Sequence, residues 1–364
     1  MNNFVLFRGG SVKIIHCSDL HLDSAMEPNL SNEKARERSR EMRRTFERMV
    51  DFAKENGVRA VIIAGDMFDT ERVTSRTADF VFNTIKNTPE VDFLYLKGNH
   101  DEKNTIPNAK NLKSFSSDWT SYRYENVLIS GIELTAENSD RLYDDLTLSN
   151  EDVNIVVMHG QTSTATGAEE ICLNKLKNKN IRYLALGHIH SYRKEKLDLD
   201  GEWCYSGCLE GRGFDECDEK GFVLIETKDN KLESQFVPFS ARTLCEVQVD
   251  ITGLVSVNDI IIAAKEASKD IDSKNLVKYV LRGNYTLETQ KDILYITEAL
   301  QDGFYFVKIK DESKLKLNEE DYSNDVSLKG EFIRTVMASD LEEEEKNQII
   351  LSGLQALMGE EITL

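Results

Sequence analysis

Residues 61–70 read V-I-I-A-G-D-M-F-D-T, an apolar run that stops at Gly65 and then presents two carboxylates, Asp66 and Asp69. An unbroken run of small and β-branched apolar residues is typical of a strand buried on both faces of a parallel sheet. Ligands of open α/β sheets bind outside the carboxyl ends of the strands, and the first charge falls at that point. The stretch therefore predicts a central strand, with Asp66 in a candidate site.

Four further strand-like runs end in residues that can bind a metal. They are residues 13–17 before Asp19 and His21, 93–96 before Asn99 and His100, 155–158 before His159, and 181–186 before His188 and His190. Five of the six histidines of the chain lie at these strand ends. Histidines at random positions would not be distributed in this way, so the pattern indicates one shared site.

The candidate ligands are too many for one metal ion. They are Asp19, His21, Asp66, Asn99, His159, His188 and His190. Carboxylate, imidazole and amide oxygen together suit manganese, iron or zinc better than magnesium or calcium, and the absence of thiolates argues against a structural zinc. Two metals that share Asp66 account for the whole set. Such a pair can clamp the attacking and leaving oxygens of a phosphoryl group.

His100 is left over beside Asn99 and is a candidate for the acid that protonates the leaving oxygen. Asp69 could orient the imidazole of His100 and favour its charged form. His16 lies inside a strand, and we interpret it as a core histidine rather than a ligand. Arg212, in a Gly-rich loop, could contact a phosphate or belong to a simple hairpin loop.

Length and composition indicate a multidomain cytoplasmic protein. The 364 residues exceed one typical domain, and no apolar run approaches membrane-spanning length or resembles a signal peptide. The six cysteines form no C-x-x-C pair, which favours reduced thiols over a zinc site. The net charge of −19 opposes nucleic-acid binding unless a local basic patch or divalent metals compensate.

The first part of the chain alternates strands and helices, which predicts a doubly wound α/β start. Residues 31–56 are predicted to form a helix with Ser31 as its N-cap. Its many arginines alternate with glutamates, which favours a self-paired solvated face, with contact to a phosphate backbone as the alternative.

Three domains are predicted. They are a catalytic domain at 1–240, an α+β capping domain at 241–317 and a C-terminal helical segment at 318–364. The capping domain includes a predicted helix at 287–300. The C-terminal segment contains predicted helices at 328–338 and 340–358, the second capped by Ser339. The second helix carries an apolar stripe that docks either on its own body or on another protein.

Five motifs in a fixed order carry a family resemblance. They are D-x-H at 19–21, G-D-x-x-D at 65–69, G-N-H-D at 98–101, H-G at 159–160 and G-H-x-H at 187–190. Together they resemble the calcineurin-like metallophosphoesterase superfamily. The stretches I-H-C-S-D-L-H-L-D-S at 15–24 and G-C-L-E-G-R-G-F-D-E at 207–216 resemble DNA repair exonucleases of the SbcD/YhaO type. The resemblance implies an α/β fold: a metallophosphoesterase β-sandwich flanked by helices, a small α+β capping domain and a C-terminal helical segment.

The resemblance also implies a ligand set. One metal would be held by Asp19, His21, Asp66 and His190, and the other by Asp66, Asn99, His159 and His188, with His100 as the catalytic histidine. The implied cofactors are two divalent ions, manganese in the first place and iron or zinc as alternatives. The implied partners are DNA and an SMC-like coiled-coil ATPase that binds the C-terminal helices. A homodimer is left open.

The expected function is a two-metal-dependent phosphodiesterase, a DNA exonuclease or also endonuclease in DNA repair. One alternative is a phosphodiesterase or phosphatase on a small nucleotide or phosphoprotein. Ser/Thr phosphatases continue G-D-x-x-D with Arg-Gly, whereas Thr70 and Glu71 follow here, which disfavours that class. A second alternative is a regulatory or scaffold subunit of an ATPase complex. The complete ligand set with His100 disfavours it.

Overall fold

The computed structural model describes residues 11–24, 26, 30–69, 73–100, 109–317 and 322–358. The chain divides into two compact units, Met1–Leu244 and Cys245–Leu364. The domain boundary predicted at residue 318 lies outside the described residues, because 318–321 are not among them. The same holds for Thr70 and Glu71, which belong to 70–72. Among the described helices, none is both long and apolar enough to cross a membrane.

The first unit contains two six-stranded sheets. In chain order its long strands and short edge strands are β1 (Val12–Cys17), β2 (Ala60–Ala64), β3 (Asp92–Leu96), β4 (Leu112–Ser114), β5 (Thr120–Tyr124), β6 (Val127–Gly131), β7 (Val153–His159), β8 (Gln161–Ser163), β9 (Glu170–Cys172), β10 (Ile181–Gly187), β11 (Arg193–Lys196), β12 (Glu202–Tyr205), β13 (Gly221–Lys228) and β14 (Lys231–Pro238). The first sheet has the order β14-β13-β1-β2-β3-β4 and the second has the order β11-β12-β10-β7-β6-β5, while β8 and β9 pair separately.

Parallel strands occupy the centre of each sheet. In the first sheet, β1 to β4 are parallel neighbours, and in the second sheet β6, β7, β10 and β12 are. Antiparallel strands lie at one edge of the first sheet, β13 and β14, and at both edges of the second, β5 and β11. Because the carboxyl ends of parallel strands lie at one edge, each sheet presents its strand exits together.

The helices of this unit are α1 (Asn32–Glu55), α2 (Ser75–Lys86), α3 (Leu142–Asp145) and α4 (Leu173–Leu176). Ile14 and Ile62 face a core shared with the second sheet, whereas Ile15 and Ile63 face a core shared with α1 and α2. A third core lies between the second sheet and α3 and α4. The predicted β-sandwich flanked by helices is therefore confirmed. The doubly wound start is wrong, because the second sheet, not a helix, covers the inner face of β1 to β3.

Ser31 caps α1 as predicted, since its hydroxyl accepts a hydrogen bond from the backbone N–H of Lys34. The solvated face predicted for this helix is wrong at Arg38, which is only 1% exposed. Its guanidinium pairs with Glu41 and, at 3.0 Å, with the buried Glu210. A basic residue in an apparently polar face thus anchors α1 to a distant loop.

The second unit is α+β, as predicted. Its strands and helices are β15 (Leu244–Asp250), α5 (Val257–Ala267), β16 (Leu276–Arg282), β17 (Asn284–Tyr285), α6 (Ile293–Gln301), β18 (Phe306–Asp311), β19 (Lys314–Leu315), α7 (Leu328–Met337) and α8 (Glu343–Met358). The sheet β15-β16-β18 packs against α5 and α6 around Val277 and Ile296. Helix α6 starts later than residue 287 because the Asp292 side chain caps it by accepting from Tyr295 N.

The last two helices pack on each other around Ile333 and Ile350. The prediction that Ser339 caps α8 is wrong. Its hydroxyl donates 2.6 Å to the Val336 carbonyl at the end of α7, and α8 begins at Glu343. The apolar stripe of α8 is divided, because Ile350 is fully buried while Leu357 is 47% exposed.

Candidate metal centre

The predicted site residues follow five strands that belong to both sheets. Asp19 and His21 follow β1, Asp66 follows β2, and Asn99 and His100 follow β3 in the first sheet. His159 ends β7, and His188 and His190 follow β10 in the second sheet. Packing the two sheets face to face brings these exits to one place, so that carboxylates from one sheet meet imidazoles from the other.

The backbone at this place adopts a rarely populated conformation. Asp19, His21, Asp66 and His188 have positive φ angles of 52°, 42°, 51° and 101°. Such residues cost on the order of 1–3 kcal/mol each and persist only where the surroundings fix them. Backbone bonds from Asp19 N to Gly65 O and from His21 N to Asp66 O, both 3.0 Å, tie the β1 and β2 exits together. The fold therefore sustains strain at the candidate ligands.

Glycine is required where β2 leaves the sheet. Gly65 has φ +95°, and a Cβ at this position would overlap the ring of His159. A side chain there would displace that imidazole. Gly65 thus helps the two sheets approach closely enough for Asp66 and His159 to meet.

Three imidazoles have one nitrogen held and the other directed inward. The Nδ1 atoms of His159, His21 and His190 lie 2.9 Å from the Ala64 carbonyl, 3.0 Å from Asp69 Oδ1 and 2.7 Å from Glu216 Oε1, respectively. Metal-binding histidines typically donate their second ring N–H to a carboxylate or carbonyl in this way. The opposite nitrogens face the central carboxylates.

The inward-facing atoms form overlapping groups. His21 Nε2 and His159 Nε2 lie 3.9 Å and 3.4 Å from Asp66 Oδ2, and His190 Nε2 lies 3.8 Å from Asp19 Oδ1. The sets Asp19, His21, His190 and Asp19, Asp66, His159 each have ligand atoms within 4.8 Å of one another. Neither ring nitrogen of the buried His21 has a hydrogen bond of regular geometry among the described residues, although Nδ1 lies 3.0 Å from Asp69 Oδ1. An orphaned nitrogen among carboxylates fits a bound cation.

The electrostatics of the site also favour a cation. Burial alone would raise the pKa of Asp66, but its contacts with His159 and His21 lower it to about 2. Burial opposes charge on His159 too, yet Asp66 and Asp19 raise its pKa to about 9. Asp66 stays ionised and favours positive charge beside it. The residues present therefore fit divalent metal ions.

Asn99 and His188 lie on the His159 side of the site. The Oδ1 atom of Asn99 is 3.1 Å from His159 Nε2, and the His188 ring lies edge-on to the His159 ring with centroids 5.4 Å apart. The His188 backbone N–H donates to Asp19 Oδ1 at 3.0 Å. The structure thus brings all seven predicted ligands into one neighbourhood.

His100 lies at the open side of the site with 46% of its side chain exposed. Its backbone N–H donates to Asp66 Oδ1 at 3.1 Å, and its Nδ1 is 3.3 Å from the Asp69 carbonyl oxygen. The Asp69 carboxylate is 3.9 Å from His100 Nδ1 and closer, at 3.0 Å, to both His21 Nδ1 and Arg212. Asp69 therefore contacts His100 mainly through its backbone.

Sequence reasoning missed Glu216. This buried carboxylate accepts from His190 Nδ1 and from the backbone N–H and the guanidinium of Arg212. These contacts lower its pKa although burial would raise it. The signal was available in the loop G-C-L-E-G-R-G-F-D-E, where an acid follows the arginine by four residues. The sequence left open whether Arg212 contacts a phosphate or belongs to a simple hairpin loop. In the structure it does neither and instead pairs with Asp69 and Glu216.

His16 is a core histidine, as interpreted from the sequence. It is fully buried, and its Nδ1 lies 2.9 Å from the Tyr183 hydroxyl. Burial lowers its pKa to about 3, so that it stays neutral.

With this geometry in view, residues 12–192 match the family described as calcineurin-like phosphoesterase. These residues are a calcineurin-like phosphoesterase domain. Enzymes of this family work with a dimetal centre, and the chain is a metal-dependent phosphoric ester hydrolase.

The relatives extend beyond the phosphoesterase domain. The chain is 25% identical over 333 residues to the DNA double-strand break repair protein Mre11 of Sulfolobus acidocaldarius, covering 85% of each chain. It is 26% identical over 312 residues to the protein of the same name from Thermoplasma acidophilum, covering 77% of this chain and 80% of that one. A dimetal phosphatase from Danio rerio aligns with a TM-score of 0.43 and 13% identity, over 63% of this chain and 99% of that one.

Proposed function

We propose that this phosphoesterase is a DNA exonuclease, with endonuclease activity as a further capacity, that acts in DNA repair. The proposal rests on the geometry of the site together with the names of the similar proteins. Three imidazoles turn their Nε2 atoms toward two buried carboxylates. Relatives that are 25% and 26% identical over most of the chain are named for DNA double-strand break repair.

In this proposal one metal is held by Asp19, His21, Asp66 and His190, and the other by Asp66, Asn99, His159 and His188, with manganese as the preferred ion. Two ions bound there would supply Lewis-acid polarisation of the phosphoryl oxygens. Asp69 and Glu216 lie 3.0 Å and 2.7 Å from Nδ1 of His21 and His190, which favours the tautomer that leaves Nε2 free to bind.

His100 is the proposed acid. As an imidazolium it would direct its Nδ1–H at the Asp69 carbonyl, 3.3 Å away, and keep Nε2–H for the leaving oxygen. Its side chain is 46% exposed, which supports a role in contact with the substrate. The Asp66 carboxylate also accepts from the His100 backbone N–H, which ties this residue to the candidate metal ligands.

A local basic patch supports a polyanionic substrate despite the acidic net charge. Arg40 on α1 and Arg76 on α2 are exposed, and both lie near the half-buried Arg43. Burial is the larger cause that lowers the pKa of Arg43, and the like charges of Arg76 and Arg40 lower it further. Clustered arginines attract phosphate backbones by releasing counterions. We infer that this patch lets an acidic protein hold DNA.

The same observations bear on the alternatives. A cavity of about 340 Å³ adjoins Asn99 and His159, a volume that accommodates a small ligand. A small nucleotide or diester is therefore the second candidate substrate. The scaffold alternative is supported only by the terminal helices and not by the site.

We further propose that α7 and α8 bind an SMC-like coiled-coil ATPase. Leu328 on α7 is 68% exposed, and Ile349 and Leu357 on α8 are 40% and 47% exposed. Exposed apolar side chains on neighbouring helices are typical of a surface that receives another helix. The six free cysteines agree with a cytoplasmic setting for such a complex.

The test uses purified full-length protein, Mn²⁺ and end-labelled single- and double-stranded DNA, with bis-para-nitrophenyl phosphate as a small diester. We expect wild type to degrade DNA and the His100→Ala variant to lose about 10²–10⁴-fold in rate on both substrates. Hydrolysis of the small diester with DNA intact, also after addition of the ATPase, would favour the small-substrate alternative. Hydrolysis of neither substrate would contradict the proposal.

A second experiment separates DNA binding from chemistry. The double variant Arg40→Gln/Arg76→Gln should slow DNA degradation and flatten its salt dependence, while leaving the small diester unaffected. Arg123→Gln, which removes an exposed arginine paired with Asp152, is the matched control. Equal DNA degradation by patch and control variants would refute the role of the patch.

A further inference from the structure

The Arg212 side chain forms ion pairs with two carboxylates beside the metal centre, and its NH2 group also lies 3.1 Å from His190 Nδ1. Its NH1 group lies 3.0 Å from Asp69 Oδ1, and its NH2 and Nε groups lie 2.8 Å and 3.1 Å from Glu216 Oε1. The side chain is 19% exposed. A planar guanidinium holds two acceptors in fixed directions, which a lysine ammonium cannot do.

Each of these carboxylates contacts a different imidazole. Asp69 Oδ1 lies 3.0 Å from His21 Nδ1, and Glu216 Oε1 lies 2.7 Å from His190 Nδ1. The two rings are neighbours, with centroids 5.1 Å apart. One arginine thus joins, through two acids, two rings that face Asp19 and Asp66.

The remaining imidazole of the inward-facing set is held differently. His159 Nδ1 is bound by the Ala64 carbonyl, a backbone group of β2 that Arg212 does not contact in the described structure. The arrangement is therefore asymmetric. One half of the centre depends on a side-chain network, and the other half depends on the sheet itself.

We propose that Arg212 is a positioning residue for the half of the metal centre formed by Asp19, His21 and His190. It fixes both acids, which lie 3.0 Å and 2.7 Å from the Nδ1 atoms of His21 and His190 and leave each Nε2 for the metal. The inference rests on the metal ligation proposed above and adds a residue that selects between the two half-sites. Removal of Arg212 weakens one metal and spares the other.

The experiment is calorimetric titration of metal-free, full-length protein with Mn²⁺, supported by metal analysis after dialysis. Wild type should bind two ions. Arg212→Gln should weaken one ion by about 10–100-fold, the typical effect of losing an outer partner of a metal ligand, and leave the other unchanged. In a His159→Ala background, which retains the half-site under test, Arg212→Gln should weaken the ion that remains by the same factor.

Two variants exclude a charge effect or a loop collapse. Arg212→Lys keeps the charge but cannot span both acids, so it should weaken the same ion nearly as much as glutamine does. Asp69→Asn leaves the Arg212–Glu216 contact in place and should also weaken that ion. Arg123→Gln, distant from the site in its exposed pair with Asp152, should match wild type.

The outcomes are separable. Equal weakening of both ions, unchanged affinities, or full rescue by Arg212→Lys would overturn the positioning role. Binding of two ions by wild type without DNA degradation would overturn the proposed substrate and leave the positioning result valid. Failure of wild type to bind Mn²⁺ would overturn both.

Discussion

The Arg38→Met substitution tests how α1 is fixed to the loop that carries Arg212. Arg38 is 1% exposed and its NH2 group donates 3.0 Å to Glu210 Oε2 and 3.0 Å to the Gly211 carbonyl. Glu210 is 3% exposed, and its other oxygen accepts from Thr45 at 2.6 Å and from Ala241 N at 2.5 Å. Methionine removes the cation and keeps the apolar stem.

The expected loss of stability follows from the contacts that Glu210 keeps in the variant. Glu210 retains two neutral donors but no compensating charge, and breaking one partner of a buried pair costs about 3–5 kcal/mol. Urea unfolding of full-length protein is the measurement, followed by tryptophan fluorescence. Trp119 and Trp203 are the two tryptophans of the chain, and both lie in the first unit, so the signal reports that unit alone.

The double variant Arg38→Met/Glu210→Leu is the control. Replacing both charges by apolar groups should recover part of the lost stability, because the unpaired buried carboxylate is then gone while Thr45 and Ala241 N lose their acceptor. A loss below about 1 kcal/mol for Arg38→Met would place the pair in the range of exposed ion pairs and refute the reasoning. A double variant more stable than the single one would show that the unpaired charge of Glu210 is the main cost.

Three further predictions concern the site and the core. Gly65→Ala should abolish binding of one Mn²⁺ in calorimetry, because the new methyl group overlaps the His159 ring; unchanged binding of two ions would contradict this. Mn²⁺ should raise the unfolding temperature in a concentration-dependent way that EDTA reverses, by about 2.7 kcal/mol of stabilisation at a hundred times the dissociation constant; an unchanged transition in a thermal scan would argue against a preformed centre. His16 has a folded pKa of about 3, below its ordinary value of 6.5, so the unfolded state binds one more proton as the pH falls through that window. The stability of the fold with neutral His16 is therefore fully present above pH 6.5. Below it, the free energy of unfolding falls by about 1.4 kcal/mol per pH unit because of this residue. Urea unfolding at pH 6.5 and 5.5 should show a shallower loss for His16→Asn than for wild type, and parallel losses would contradict the assignment.

The local sequence pattern predicted strands and helices well where their formation depends on neighbouring residues in the chain. The strands β1, β2 and β3, the helix α1 with its Ser31 cap, and the alternation of strands and helices in the second unit follow from short-range backbone preferences. The late start of α6 was missed because a helical pattern extends through residues 287–292, while Asp292 caps the helix. Caps compete with pattern over a few residues, and side-chain geometry decides between them.

Site residues were predictable because strand ends concentrate polar groups, but their partners were not. Asp69 follows Asp66 closely in sequence and was expected to hold His100, yet its carboxylate lies nearer to His21 and Arg212. Glu216 is 26 residues from His190 and contacts it at 2.7 Å. Sequence spacing carries no information about contacts of this kind.

The sequence by itself determined where strands end and which ligand types stand there, because an apolar run and the polar residue after it are local properties. The tertiary structure alone decided that a second sheet, rather than a helix, covers the inner face of β1 to β3, and that it delivers His159, His188 and His190 to the carboxylates of the first. It alone decided that Arg38 is buried and that Arg212 links two acids. Such contacts depend on which surfaces pack together, and that choice is made by the whole core rather than by neighbouring residues.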